Sequence, residues 1–149
     1  MEKNLKYVTL DEENIKEVIS NYIYFFNEIE GGTWNYENSY KRISQYMKIN
    51  DSLCKVVYDD DKMIGFFMGY FKEFDDLTAY YLEEILVFYP FQKQGYGKII
   101  IKDLEKMVKD QNVKHIELLS INDEFHMHFY KSLGLYEART LVVMAKDLW

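Results

Sequence analysis

The sequence predicts a mixed α/β fold built as a single domain over residues 1–149. Three observations carry this expectation. Segments of strand-like and helical periodicity alternate along the chain. At 149 residues with 48% hydrophobic content, the chain is long enough to bury about two-thirds of its unfolded surface. Residues 81–88 read as a buried strand that leads past the only proline, Pro90, into a loop carrying Gly95 and Gly97. A helix with Ile100, Ile101, Leu104 and Val108 on one face follows directly.

Taken in order, residues 6–10 form a short strand. Thr9 and Glu12 stand at capping-box spacing, and Ile15, Val18, Ile19, Tyr22, Ile23 and Phe26 share one face of a long helix that Gly31-Gly32 ends. Tyr36, Tyr40, Ile43 and Met47 predict a second helix over 36–48. Residues 53–58 and 63–71 flank Asp59-Asp60-Asp61-Lys62 and read as a hairpin, with an acidic turn at 73–76. Beyond the glycine loop and its helix, 115–119 form a strand, and the intervening helix makes it a parallel neighbour of 81–88. Residues 125–133 form a helix stopped by Gly134, and 141–145 a last strand. The expected order is β-α-α-β-β-β-α-β-α-β, a central mixed sheet flanked by helices.

Composition narrows the function. A formal net charge of −7, from 18 Lys and Arg against 25 Asp and Glu, argues against nonspecific nucleic-acid binding, which needs clustered cations. No run approaches the roughly twenty apolar residues of a membrane span, and the first six residues lack the apolar centre of a signal peptide. The single cysteine, Cys54, excludes an internal disulfide and fits a cytoplasmic, reducing setting. It lies in an expected strand and reads as a small buried apolar residue. No metal is expected: His126 and His128 diverge on a helix, and Glu124 with His128 lacks a third ligand.

The glycine loop feeding a helix exposes amides that no helical carbonyl can satisfy. With the positive end of the helix dipole they suit a phosphate, and Gly95 and Gly97 let the main chain approach it. Lys93, Lys98 and Lys102 cluster there in an otherwise acidic chain. A P-loop is ruled out because Ile99 follows Gly97-Lys98, and a Rossmann fingerprint because Ile100 stands where its third glycine belongs. Gln92, Gly95 and Gly97 match the pattern Gln/Arg-x-x-Gly-x-Gly/Ala. In this loop and in its element order the chain resembles the GNAT superfamily of N-acetyltransferases, essentially over its full length.

The resemblance implies a GNAT-type acyl-CoA N-acyltransferase fold with acetyl-CoA as co-substrate. The loop Gln92, Lys93, Gln94, Gly95, Tyr96, Gly97 and Lys98 would take the pyrophosphate on its amides, and the backbone of Leu86 and Val87 would pair with the pantetheine arm. Phe129-Tyr130 followed by Gly134 and Leu135 resembles the family's Phe-Tyr-x-x-x-Gly-Phe, whose tyrosine is the general acid at the CoA sulfur; that role falls on Tyr130. The family places Asn seven residues before this tyrosine to hold the pantetheine. Here Asp123 stands there, with Asn122 one residue earlier and His126 in place of an Ala.

Acyl transfer also needs the amine to lose a proton. A free amine of pKa about 10.4 is short of neutral form by about 4 kcal/mol near pH 7.4, which a positioned carboxylate can partly recover. Glu83 and Glu84 are the candidates, and strand alternation is expected to point them to opposite faces. The run Tyr81-Leu82-Glu83-Glu84 is similar to spermidine/spermine N-acetyltransferases, in which the first acid is the base; this maps onto Glu83. The loops carry Glu28, Glu30, Glu37, Glu73, Asp75 and Asp76 with Trp34, Tyr36 and Tyr80. They read either as an entrance for a cationic amine (polyamine, aminoglycoside or peptide amine) or as solubilising charge. The alternative function is a non-catalytic acyl-CoA-binding module of the same fold, with a nucleotide-binding α/β protein behind it. The last strand and Trp149 point to a homodimer paired through strands.

Overall fold

A computed structural model describes residues 3–149, which form two compact units, one ending at Leu119 and one running from Ser120 to Trp149. In the first unit the elements are β1 (Leu5–Thr9), α1 (Ile15–Ile23), α2 (Tyr36–Met47), β2 (Lys55–Asp59), β3 (Lys62–Glu73), β4 (Thr78–Val87), α3 (Tyr96–Lys109) and β5 (Val113–Leu118). A π-helical stretch, Tyr24–Ile29, prolongs α1, and a 3₁₀ turn, Tyr89–Phe91, follows β4. The second unit holds α4 (Glu124–Ser132).

The five strands form one sheet in the order β1-β2-β3-β4-β5. The first three pairings are antiparallel, and β4 runs parallel to β5 as the intervening helix requires. Both faces of the sheet are covered. On one, Val56, Phe66, Met68, Leu86 and Phe88 pack with Ile15, Val18, Ile19 and Tyr22 of α1 and Ile43 of α2. Each fully buried side chain of this size contributes about 1.5–3 kcal/mol. On the other, the Tyr7 ring lies 6.3 Å from Phe67, and its hydroxyl donates to Asp103 of α3 at 2.7 Å. The helix α3 buries Ile100, Ile101, Leu104 and Val108, the apolar face its spacing specified.

Four expectations change. Thr9 does not cap α1: it stays in β1, paired with Lys55, and Asn14 is the residue at the helix N-cap. The loop amides of Glu13 and Asn14 donate instead to Asp11 Oδ1. Cys54 is buried but precedes β2 rather than lying in it. Tyr80 does not line an entrance: it is fully buried, and its hydroxyl donates to the Leu53 carbonyl at 2.7 Å. The strand over 141–145 does not form; the segment has no regular structure, and Leu141, Val142, Val143 and Met144 are exposed. Strand propensity alone does not make a strand, and this run pairs with none of the described strands. Dimerisation through that strand therefore has no strand to act through among the described residues.

Candidate active site

The register between β3 and β4 slips by one residue between Met68 and Gly69: Gly69 faces Leu82, and Met68 faces Glu84. Glu83 is thus the extra residue of a β-bulge. The expectation that Glu83 and Glu84 point to opposite faces fails for this reason. Before the bulge, Tyr81 and Glu83 share one face; after it, Glu84 falls in step with Leu86 and Phe88, which pack under α1 and α2. The slip turns both carboxylates to the same side. Gly69 permits it: a Cβ there would stand 2.3 Å from the Tyr81 carbonyl oxygen and 2.4 Å from the Tyr80 hydroxyl.

The two acids meet at Arg42 of α2, whose Nη2 lies 3.3 Å from Glu83 Oε1 and 3.3 Å from Glu84 Oε2. Arg42 Nε donates to the Tyr22 hydroxyl at 3.2 Å, and that hydroxyl donates to Glu84 Oε2 at 3.3 Å. Burial pushes the Glu84 carboxyl above the usual glutamate range, and Arg42 and Tyr22 pull it only part of the way back. Burial likewise pushes up the Tyr22 and Tyr46 phenols, Tyr46 to about 12. Both phenols are therefore neutral donors at any ordinary pH.

Aromatic rings frame this cluster. Trp34 packs edge-on to Tyr22 with ring centroids 5.4 Å apart. Its backbone is clamped by Asn27, whose Nδ2 donates to the Trp34 carbonyl at 2.7 Å and whose Oδ1 accepts from the Trp34 amide at 2.8 Å. Asn27 lies in the π-helical stretch, a distortion frequent at functional sites. Along the same face Tyr70 lies 5.5 Å from Tyr81 and 6.4 Å from Tyr46.

Beyond the bulge, β4 opens. It pairs with β5 only from Thr78 to Leu82, so the main chain of Glu83 through Val87, with Leu86, has one flank that no described strand covers. Such an edge can take an extended ligand bearing amides. The next turn leads to the glycine loop. Gln92 Nε2 folds back to the Val87 carbonyl at 2.8 Å, and Gln94 Nε2 reaches the Pro90 carbonyl at 3.2 Å, so both side chains brace the loop. Lys93 and Gly95 adopt left-handed backbone, with φ of 64° and 86°. Gly95 is the N-cap of α3 and offers no capping side chain, and the first turn, with Tyr96, Gly97 and Lys98, holds no acid. By contrast α2 and α4 are capped by Asn35 and Asp123 and carry Glu37 and Glu124 in their first turns. The start of α3 thus presents unclaimed amides and positive dipole beside exposed Lys93 and Lys98. These residues fit a diphosphate. Tyr96 is buried, with its hydroxyl bonded to Asp59, so only its amide can take part.

In the second unit, Asp123 is committed to capping α4: its Oδ1 accepts from the His126 amide at 2.7 Å and from His126 Nδ1 at 2.8 Å. Asn122 is exposed just before it. Tyr130 is half-buried against the Phe129 ring, at 5.1 Å between centroids. Gly134, at φ 91°, closes the helix so that the Leu135 amide returns to the Tyr130 carbonyl at 3.2 Å. Among the described residues there is no group of three or more His, Cys, Asp or Glu able to hold a metal ion. Among the described residues no helix is long and apolar enough to cross a membrane.

Sequence reasoning missed Arg42 and the hydroxyl of Tyr22. A signal for the first was available: Arg42 is one of two arginines in the chain and stands next in sequence to Ile43 of the helix's apolar face. Tyr22 was read as core, yet a buried tyrosine needs a partner for its hydroxyl.

The family model for the acetyltransferase (GNAT) family matches residues 20–135. No curated protein matches by sequence. Among solved structures, an aminoglycoside acetyltransferase from an uncultured soil metagenomic sample, in complex with sisomicin, is 18% identical with a TM-score of 0.76 over 97% of both chains. A possible acetyltransferase from Clostridium difficile 630 is 14% identical, with a TM-score of 0.80 over 99% of this chain and 100% of that one. A GNAT family acetyltransferase from Staphylococcus aureus is 18% identical, with a TM-score of 0.72 over 97% and 98%. At these identities the likeness establishes the fold.

Proposed function

This chain belongs to the acetyltransferase (GNAT) family, and from that membership we propose that it transfers an acetyl group from acetyl-CoA to the primary amine of a small cationic acceptor. The observation that carries the proposal is the convergence of Glu83 and Glu84 on one face of β4, next to the uncovered edge that ends at Val87. The start of α3 would hold the pyrophosphate through the amides of Gln94 to Lys98, and the backbone of Leu86 and Val87 would align the pantetheine. Asn122 would supply the family's pantetheine contact, since Asp123 is spent on its helix cap.

The amine attacks the thioester carbonyl directly, its nitrogen gaining the acetyl carbon as the C–S bond breaks. Its proton passes to the carboxylate pair. Glu83 is the proposed acceptor of that proton, a role supported by its place as first acid of the pair and by its slightly greater side-chain exposure, 20% against 15% for Glu84. Tyr130 is the proposed donor to the departing thiolate, a role supported by its motif with Gly134. Two carboxylates among tyrosine and tryptophan faces favour a cationic amine. The complex of one structural neighbour with sisomicin is consistent with that class. A cytoplasmic setting is part of the proposal, supported by Cys54, a buried free thiol.

The test is free-thiol release from acetyl-CoA across aliphatic diamines, aminoglycosides, peptide amines and anionic amines. Turnover is expected with the cationic members alone. Activity confined to neutral or anionic amines would contradict the acceptor class, and binding without release across the whole panel would favour a non-catalytic acyl-CoA-binding module.

A further inference from the structure

The carboxylate pair carries a feature that amine acetylation does not itself require. We propose that Arg42 is a positioning residue that sets the charge of the site, holding Glu83 and Glu84 together so that the acceptor meets a net charge of minus one and is selected as a monocation at its reacting end. This rests on reading the pair as the acceptor site.

The argument is geometric. One nitrogen, Arg42 Nη2, serves one oxygen of each carboxylate at 3.3 Å, while Nε is tied to Tyr22 at 3.2 Å. A guanidinium fixes these donors in one plane, whereas a lysine supplies the same charge without the fixed directions. Two carboxylates brought together without a cation repel each other, and above their raised midpoints they would leave the site at minus two. The guanidinium offsets one of the two negative charges, so with both acids ionised the three groups sum to minus one. An ammonium group then completes a neutral cluster in a site where an unbalanced charge is penalised. A second positive charge on the acceptor must lie elsewhere. The groups facing Arg42 are Tyr22 from α1, Glu83 and Glu84 from β4, and Tyr46 from the next turn of α2. Both phenols stay neutral and do not alter the count.

Arg42→Gln and Arg42→Lys test this in the full chain. Glutamate labelled with ¹³C at the side-chain carboxyl and titrated by NMR reads the pair without any substrate, with Glu83→Gln and Glu84→Gln to assign the signals. In Arg42→Gln the pair's midpoints should rise by about one unit, and Arg42→Lys should restore most of the difference. With acetyl-CoA as donor, the acid limb of kcat/KM should move up by the same amount. The kcat/KM ratio of 1,4-diaminobutane to n-butylamine should rise several-fold. Unchanged midpoints in folded Arg42→Gln, or a uniform loss of kcat at every pH with the amine ratio unmoved, would overturn the proposal. Should Arg42→Gln not fold, Glu83→Gln carries the test: Arg42 then serves Glu84 alone, whose midpoint must fall, and an unchanged value refutes the proposal. If the midpoints move as stated while neither amine is acetylated, the transfer reading fails and the charge-setting role of Arg42 stands.

Discussion

Glu84 shows how a single side chain can tie structure to pH. Its carboxyl is raised by burial, so it takes up a proton at higher pH than an exposed glutamate near 4.3. The sign follows. A raised folded-state value means that the contribution of Glu84 to stability is fully present below the unfolded value and is lost as pH rises through the folded one. Function runs the other way: as pH falls through that raised value, the site loses a negative charge and a cationic acceptor binds less well. For the native enzyme, KM for the amine should therefore climb at a pH above the ordinary glutamate range. In Glu84→Gln, KM should be about tenfold higher or more and flat over the same interval. Measured KM–pH profiles decide; a native-like profile in Glu84→Gln would remove Glu84 from acceptor binding.

At the scale of elements, the site is made by three local departures from regular structure. The slip at Gly69 turns two neighbouring carboxylates the same way. The π-helical stretch after α1 places Asn27 to clamp Trp34. The left-handed Gly95 starts α3 without a capping side chain. Regular periodicity made the apolar faces of α1 and α3 and the parallel pairing of β4 with β5 legible in the sequence, while on α2 it misplaced Tyr36, which is exposed. It could not reveal the slip, because alternation assumes an unbroken register, and an extra residue inverts every side chain beyond it. The clamp was hidden for another reason: it depends on how the π-helical stretch folds Asn27 back onto Trp34, which periodicity does not encode. Gly95 was legible as a loop glycine, and its conformation makes a prediction. A Cβ there meets nothing within 4 Å, so Gly95→Ala is opposed only by its φ of 86°, about 1–2 kcal/mol. Urea unfolding should show that modest loss, together with weaker acetyl-CoA binding as the helix start shifts. A stability loss of several kcal/mol would contradict the open-space reading.

At the scale of the molecule, the sheet from β1 to β5 and its helical layers match the expectation, whereas the strand expected over 141–145 does not form. The run over 141–145 has strand composition but pairs with no described strand. Family membership then assigns the kind of chemistry, while β4 and the start of α3 say how this chain would perform it. The central claim is that the uncapped start of α3 grips the diphosphate of an acyl-CoA along the open edge of β4. Thermal unfolding with added ligand tests it most directly. Acetyl-CoA at a hundred times its Kd should stabilise the protein by about 2.7 kcal/mol, and acetyl-pantetheine, which lacks the diphosphate, should stabilise it far less at equal concentration. No shift with acetyl-CoA, or an equal shift with NAD or ATP, would contradict the account.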